Sequence, residues 1–202
     1  MKKIFSVLLL MQAVLLSAQT IQDPKVSEDI LFLINEEKFA RDIYQFASEK
    51  YQMHVFTNKI TSEENHRTLL SGLLKDAPDI PTAYGEFKDT LWLHAFMDFK
   101  ARAAISLENA MLTGALIEEQ DIFDLEKRKL LTTDTAVIRI YDILISASEQ
   151  HLRSFLKNIE AGGTPYVPQY LSAARVDQIR AAPNGCGGAG HSCAGSCGKG
   201  GC

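Results

Sequence analysis

Apolar residues recur at helical spacing in the first third of the chain, at Ile30, Leu33, Ile34, Ala40, Tyr44, Ala47 and Tyr51. This period predicts a helix over about residues 27–50. Ser27 is its expected N-cap, with Glu28 and Asp29 in the first turn, where the helix dipole favours acids. Phe56-Thr57-Asn58 is the expected break, with Thr57 or Asn58 capping a second helix that runs to about residue 75. The stripe of that helix contains Ile60, Glu63, Arg67, Leu70 and Leu74, with His66 beside it. Pro78, Pro81 and Gly85 predict a loop over residues 76–85. A shorter helix is expected over residues 87–102, with Leu91, Trp92, Ala95 and Phe99 on one side. Ser106 opens a long helix to about residue 131. Asp134 or Thr133 caps another to about residue 160, and Gly162-Gly163 ends it. A weaker helical pattern runs from Tyr170 through Arg180. No segment alternates with the period of two that marks a strand. The pattern therefore predicts an all-α fold: a bundle of four long helices with one short extra helix between the second and third.

Composition changes this picture only at the two ends. Lys2 and Lys3 precede an apolar run over residues 4–16, and Ser17-Ala18-Gln19 supplies small residues for cleavage. Residues 1–19 thus have the form of a secretory signal peptide. The run is short for a span, which takes about 20 apolar residues, so no stable membrane span is expected after cleavage. The expected compartment is periplasmic or extracellular. Residues 27–170 form the expected bundle domain, and residues 171–202 a C-terminal extension whose Gly/Cys-rich end is too poor in apolar bulk to build a core. Formal net charge is −4. With no basic run in the folded part, nucleic acid is excluded as an expected partner.

Candidate chemistry begins with Glu37, a carboxylate on an apolar stripe. Burying it costs free energy unless a metal, a proton or a cation neutralises it. Companions occur on the other long helices. Glu63 and His66 lie three apart and share a helix face. Glu118 and Asp121 repeat that spacing on the stripe of Gly114, Ile122 and Leu125. His151 falls on the stripe of Tyr141, Leu144, Ser148 and Phe155. One inward ligand per long helix is the layout of carboxylate-bridged metal bundles, and oxygen-rich donors with imidazole favour iron or manganese over a thiolate metal. The competing reading pairs these carboxylates with Arg41, Arg67 or Arg153 in a metal-free polar network.

These motifs carry a resemblance. Glu37 to Tyr44 looks like the first helix of rubrerythrin-type members of the ferritin-like superfamily. Glu63-x-x-His66 and Glu118-x-x-Asp121 are similar to their second- and third-helix motifs. Residues 31–170 as a whole resemble a bacterial and archaeal ferritin-like family of unknown function, on Glu36 to Tyr44, Ser62 to His66, Gly114 to Ile122 and His151 to Phe155. The resemblance implies a ferritin-like bundle in which Glu37, Glu63, His66, Glu118, Asp121 and His151 hold iron, as a di-iron centre, or manganese. It implies ferroxidase or peroxide-reducing activity and a homodimer. One position departs: rubrerythrin-type sites have Glu three residues before the fourth-helix His, and Ser148 stands there instead. Glu149 points about 200° away from His151. The expected site is therefore asymmetric, with Asp121 or Glu119 as substitutes for the lost carboxylate.

All four cysteines, Cys186, Cys193, Cys197 and Cys202, lie in the tail with His191. Their spacing is not that of paired Cys-x-x-Cys motifs. In an exported protein they read as disulfides, as a second, soft-metal site, or as free thiols in a disordered tail. The alternative function is accordingly a metal carrier or sensor, or a structural module, in which the tail does the work and the bundle is scaffold.

Overall fold

The computed structural model describes residues 21–183 apart from 22 and 77. The N-terminal segment and the tail cysteines with His191 lie outside the described residues. Among those residues the chain is all-helical, with six helices and no strand: α1 (Pro24–Tyr51), α2 (His54–Ser71), α3 (Thr90–Ile105), α4 (Leu107–Lys129), α5 (Thr135–Ala161) and α6 (Ala173–Ala181). None of them is long and apolar enough to cross a membrane. The long helices pack as two pairs, α1 with α2 and α4 with α5. The pairs meet through α1 on α4 and α2 on α5. α3 lies against α1 and α4, and α6 against α5.

Local chemistry sets most boundaries. Ser106 and Asp134 cap α4 and α5 by accepting from Asn109 and from Ala136 and Val137. Gly163, at φ 84°, ends α5 in a left-handed turn. Several boundaries differ from the sequence expectation. α1 starts at Pro24, not Ser27, because Asp23 accepts from the Lys25 N–H and Pro24 fits the first turn. The α1–α2 break is Gln52-Met53, not Phe56-Thr57-Asn58. Gln52 adopts the left-handed conformation (φ 53°) and closes α1 onto the Ser48 carbonyl. The Thr57 hydroxyl, a cap candidate by type, is satisfied inside α2 by Met53 O and Ser48 Oγ, while Phe56 is buried. α2 ends at Ser71, short of the expected residue 75. α3 also differs: it starts after an Asp89 cap and buries Trp92, Phe96 and Ala103, whereas Leu91 is 61 % exposed.

The core has two apolar layers. Ile30, Leu33, Ile34, Leu70, Leu125, Tyr141 and Leu144 fill one. Phe39, Ile43, Tyr44, Phe56, Ala115, Leu152 and Phe155 belong to the other. Along each long helix the candidate ligands fall between the two layers. α1 is the central helix: residues 36–44 are buried on every face, charged ones included.

The charges in that stretch organise the long loop after α2. Asp42 accepts from Lys38 Nζ (2.6 Å), from Arg41 Nε and Nη2 (2.9 and 2.7 Å) and from the Gly85 N–H (2.9 Å). Lys38 and Arg41 also donate to Ala83 O and Thr82 O. Loop residues 82–85 are thereby pinned to α1.

Close approach of α4 and α5 needs Gly114. A Cβ there would sit under 3.0 Å from three atoms of the Phe155 ring. Gly114→Ala gains about 1 kcal/mol of helix propensity but overpacks a closed site, at about 1–3 kcal/mol or more. The expected result is a net loss of stability in urea unfolding, relieved in the Gly114→Ala/Phe155→Leu double variant.

Candidate metal centre

Glu37 (α1), Glu63 and His66 (α2), Glu118 (α4) and His151 (α5) converge in the layer between the apolar clusters. Two groups of three have donor atoms within 4.8 Å of one another: Glu37, Glu63 and His66, and Glu63, Glu118 and His151. Glu63 belongs to both. Its Oε2 lies 2.8 Å from His66 Nδ1 and its Oε1 lies 3.1 Å from His151 Nδ1. Glu37 Oε2 is 3.1 Å from His66 Nδ1, and Glu118 Oε1 is 3.3 Å from His151 Nδ1. The imidazole rings stack at 6.0 Å.

Neighbouring hydroxyls orient several members. Tyr44 donates to Glu118 Oε1 (2.6 Å), Ser62 Oγ is 3.3 Å from His66 Nε2, and Ser148 donates to Asp121 Oδ2 (2.5 Å). Asp121 is buried in the same layer but stands outside both groups. Ser148 marks the departure at the position where rubrerythrin-type sites have Glu. Tyr44, Ser62 and Ser148 thus hold the orientation of Glu118, His66 and Asp121.

The charges of the layer are set by burial and by each other. Burial pushes Glu37 up to about 7, against the pull of His66. Burial also acts to raise Glu63, but His151 and His66 on either side outweigh it and hold Glu63 below the usual carboxylate range. His151 is raised to about 9 because Glu118 and Glu63 outweigh its burial, and His66 is raised well above its ordinary value by Glu37 and Glu63 in the same way. Asp121 is raised by burial and by the charge of Glu37. Protons thus share a layer rich in carboxylates.

The donor set fits a metal on a separate observation. Glu37 Oε1, Glu63 Oε1, Asp121 Oδ1 and His151 Nδ1 are buried without a hydrogen-bond partner. His151 Nδ1 and Glu63 Oε1 are close enough to bond but are not directed at each other. Leaving such atoms unpaired costs about 1–3 kcal/mol each, a cost that a cation between them would offset.

The arginine pairing expected for a metal-free network is not made. Arg41 binds Asp42 and Glu64, Arg67 binds Glu64, and Arg153 donates to Ile179 O. Glu119 is likewise corrected as a substitute ligand. Its carboxylate accepts from Tyr166 OH and from the N–H groups of Gln169, Tyr170 and Leu171, holding the segment before α6. Glu149 pairs with Arg175, away from the layer. Two charged residues outside the expected set are also buried here. Glu36 is buried beside Glu37 with Oε2 unpartnered, and burial and Asp124 raise its pKa. Lys59 is buried one turn before Glu63, and that i, i+4 spacing was the available signal.

Residues 27–183 match the family described as uncharacterized protein domain (DUF2202), and the chain belongs to that family. It is 30% identical over 156 residues to uncharacterized protein MJ0754 of Methanocaldococcus jannaschii, covering 75% of this chain and 84% of the relative. The crystal structure of hypothetical protein MJ0754 from Methanococcus jannaschii DSM 2661 is similar with a TM-score of 0.77 at 28% identity, over 82% of this chain and 96% of that one.

Proposed function

We propose that this member of the DUF2202 family is an exported ferritin-like protein that holds two transition-metal ions in the polar layer of its helical bundle. The observation that carries this is the shared position of Glu63 between two carboxylate–carboxylate–imidazole groups. Glu37 and His66 would hold one ion and Glu118 and His151 the other, with Glu63 between. Four long helices that each contribute to the layer, with α3 in the long connection, support the ferritin-like assignment. Oxygen donors with two imidazoles favour iron, with manganese second. Bound iron would supply one-electron chemistry toward dioxygen or peroxide, of ferroxidase or peroxide-reducing type. The chain's own part is positional. Tyr44 fixes Glu118, Ser62 fixes His66, and the two apolar layers keep water from the carboxylates. Export rests on the basic and apolar N-terminal segment.

Protons compete for these ligands, because metal binding needs neutral imidazole and ionised carboxylate. With His151 raised to about 9 and Glu37 to about 7, both carry protons near neutrality. Loading then releases protons, and affinity rises as pH climbs from about 6 toward 9. Anaerobic titration with ferrous iron, read by elemental analysis and by calorimetry in two buffers, is expected to give two ions per chain with proton release. Admission of air or peroxide then oxidises the iron faster than in buffer alone. Removal of residues 185–202 is expected to leave the stoichiometry unchanged. Failure of the full chain to bind iron or manganese overturns the assignment, and loss of binding on truncation moves the site to the tail.

A further inference from the structure

Glu64 Oε2 sits where two buried arginines converge. Arg41 Nη1 and Arg67 Nη1 each donate to it at 2.7 Å. Both arginines are buried, whereas the Glu64 side chain is 47 % exposed. A half-solvated glutamate on α2 thus occupies a point defined by two buried guanidinium groups. Asp42 and Thr82 O fix the rest of the Arg41 guanidinium, so Arg41 Nη1 is aimed at that point independently of Glu64.

Charge around the point is unbalanced. Lys38, Arg41 and Arg67 share only two carboxylates, Asp42 and Glu64, in one linked set of ion pairs. Burial lowers the Lys38 pKa, and the charges of Arg41 and Arg67 add to that effect against Asp42. Arg67 Nε is buried with no acceptor. A buried cationic cluster in that state favours additional negative charge. Outside Glu64 lies an open hollow of about 420 Å³, lined also by Arg41, Thr61, Asn65 and Tyr84. Thr61, Asn65 and Tyr84 bring a hydroxyl, an amide and a phenol to its wall. None of Glu37, Glu63, His66, Glu118 and His151 lines it.

The structure assigns this point to a doubly charged tetrahedral oxyanion, sulfate or phosphate, with Glu64 as its placeholder. The anion enters from the hollow, displaces the Glu64 carboxylate toward solvent, and accepts from Arg41 and Arg67 in its place. Guanidinium groups suit this ligand, because their planar forks match the spacing of oxyanion oxygens. Exchange of one negative charge for two brings the cluster to neutrality, which favours a dianion over chloride or a carboxylate. The metal centre takes no part in this site.

Calorimetric titration of the full chain with sodium sulfate, and in a second arm with sodium phosphate at about pH 8, tests the site. Sodium chloride at equal ionic strength is the reference, since salt screens exposed charges. Metal content is measured in every sample, because bound iron takes up phosphate on its own. The sulfate arm decides where iron is present. Both arms are expected to give one saturable site per chain, and the tighter arm names the preferred anion. Glu64→Ala frees the point and is expected to tighten binding about tenfold or more. Asn65→Asp, at an exposed position on the wall, sets a negative charge beside the anion and is expected to weaken binding roughly several-fold. Glu64→Ala/Arg67→Met is expected to bind at least about tenfold more weakly than Glu64→Ala, with circular dichroism checking that the helices persist. Sulfate affinity in Glu64→Ala no higher than in the parent overturns the proposal, as does affinity that Asn65→Asp leaves unchanged. Should Arg67→Met unfold the chain, the Glu64→Ala and Asn65→Asp comparisons decide.

Discussion

Glu63→Ala is expected to abolish binding of both ions of the proposed metal centre, whereas Glu37→Ala and Glu118→Ala each abolish one. The asymmetry follows from position. Glu63 presents one oxygen to His66 and the other to His151, while Glu37 and Glu118 each belong to a single group. Removing a shared carboxylate takes a donor from both ions and leaves each with a single carboxylate and an imidazole. Perturbing even a supporting residue of a metal site costs about 10–100-fold in affinity, so loss of a direct ligand at both ions should exceed roughly 100-fold. Glu63→Gln is the sharper variant, because it keeps the volume and removes the charge. Elemental analysis after ferrous loading reads the stoichiometry, and circular dichroism checks that the helices persist. Equal residual metal in Glu63→Ala and Glu37→Ala would show that Glu63 is not shared.

Asp42→Ala is expected to destabilise the fold by about 3–5 kcal/mol, the range for breaking a buried ion pair by removing one partner. Lys38 and Asp42 side chains are both 0% exposed and 2.6 Å apart. Removal of the carboxylate leaves the Lys38 ammonium with Ala83 O as its remaining acceptor, and strips Gly85 N–H of its partner. Burial already lowers the Lys38 pKa, and Asp42 counters that shift. Without Asp42 the desolvation cost is opposed only by Ala83 O and the face of the Phe87 ring. Urea unfolding measures the loss, and hydrogen exchange at Gly85 reports release of the loop. The apolar pair Lys38→Met/Asp42→Leu should recover part of the stability, since it removes the uncompensated Lys38 charge while Arg41 and the Gly85 N–H still lose their acceptor. A loss below about 1 kcal/mol in Asp42→Ala would show that the pair is solvated and that the loop is held elsewhere.

Glu118 and Glu119 show how neighbouring residues in a motif divide. Glu118 and Glu119 are adjacent acids, indistinguishable by type. α4 turns one toward Tyr44 and His151 and the other toward the backbone of residues 169–171. That difference depends on where the segment before α6 crosses α4, some 50 positions along the chain, and no local pattern encodes it.

The sequence by itself determined the all-helical class, the four long helices, the Ser106, Thr133/Asp134 and Gly162-Gly163 boundaries, and the Glu63–His66 face. Each of these depends on contacts within about four residues: a cap hydroxyl or carboxylate, a glycine turn, an i, i+3 pair. Tertiary structure decided the rest. It placed α1 at the centre, so that Lys38, Arg41 and Asp42 are buried with Glu37, although an amphipathic stripe implies one solvated face. It turned Glu63 between two histidines on different helices, sent Arg41 and Arg67 to Glu64 and Arg153 to the Ile179 carbonyl, and set Lys59 over the Phe155 ring. Helical period fixes which side chains share a face, but which faces meet is set by how whole helices rotate and cross as they bury their apolar surface.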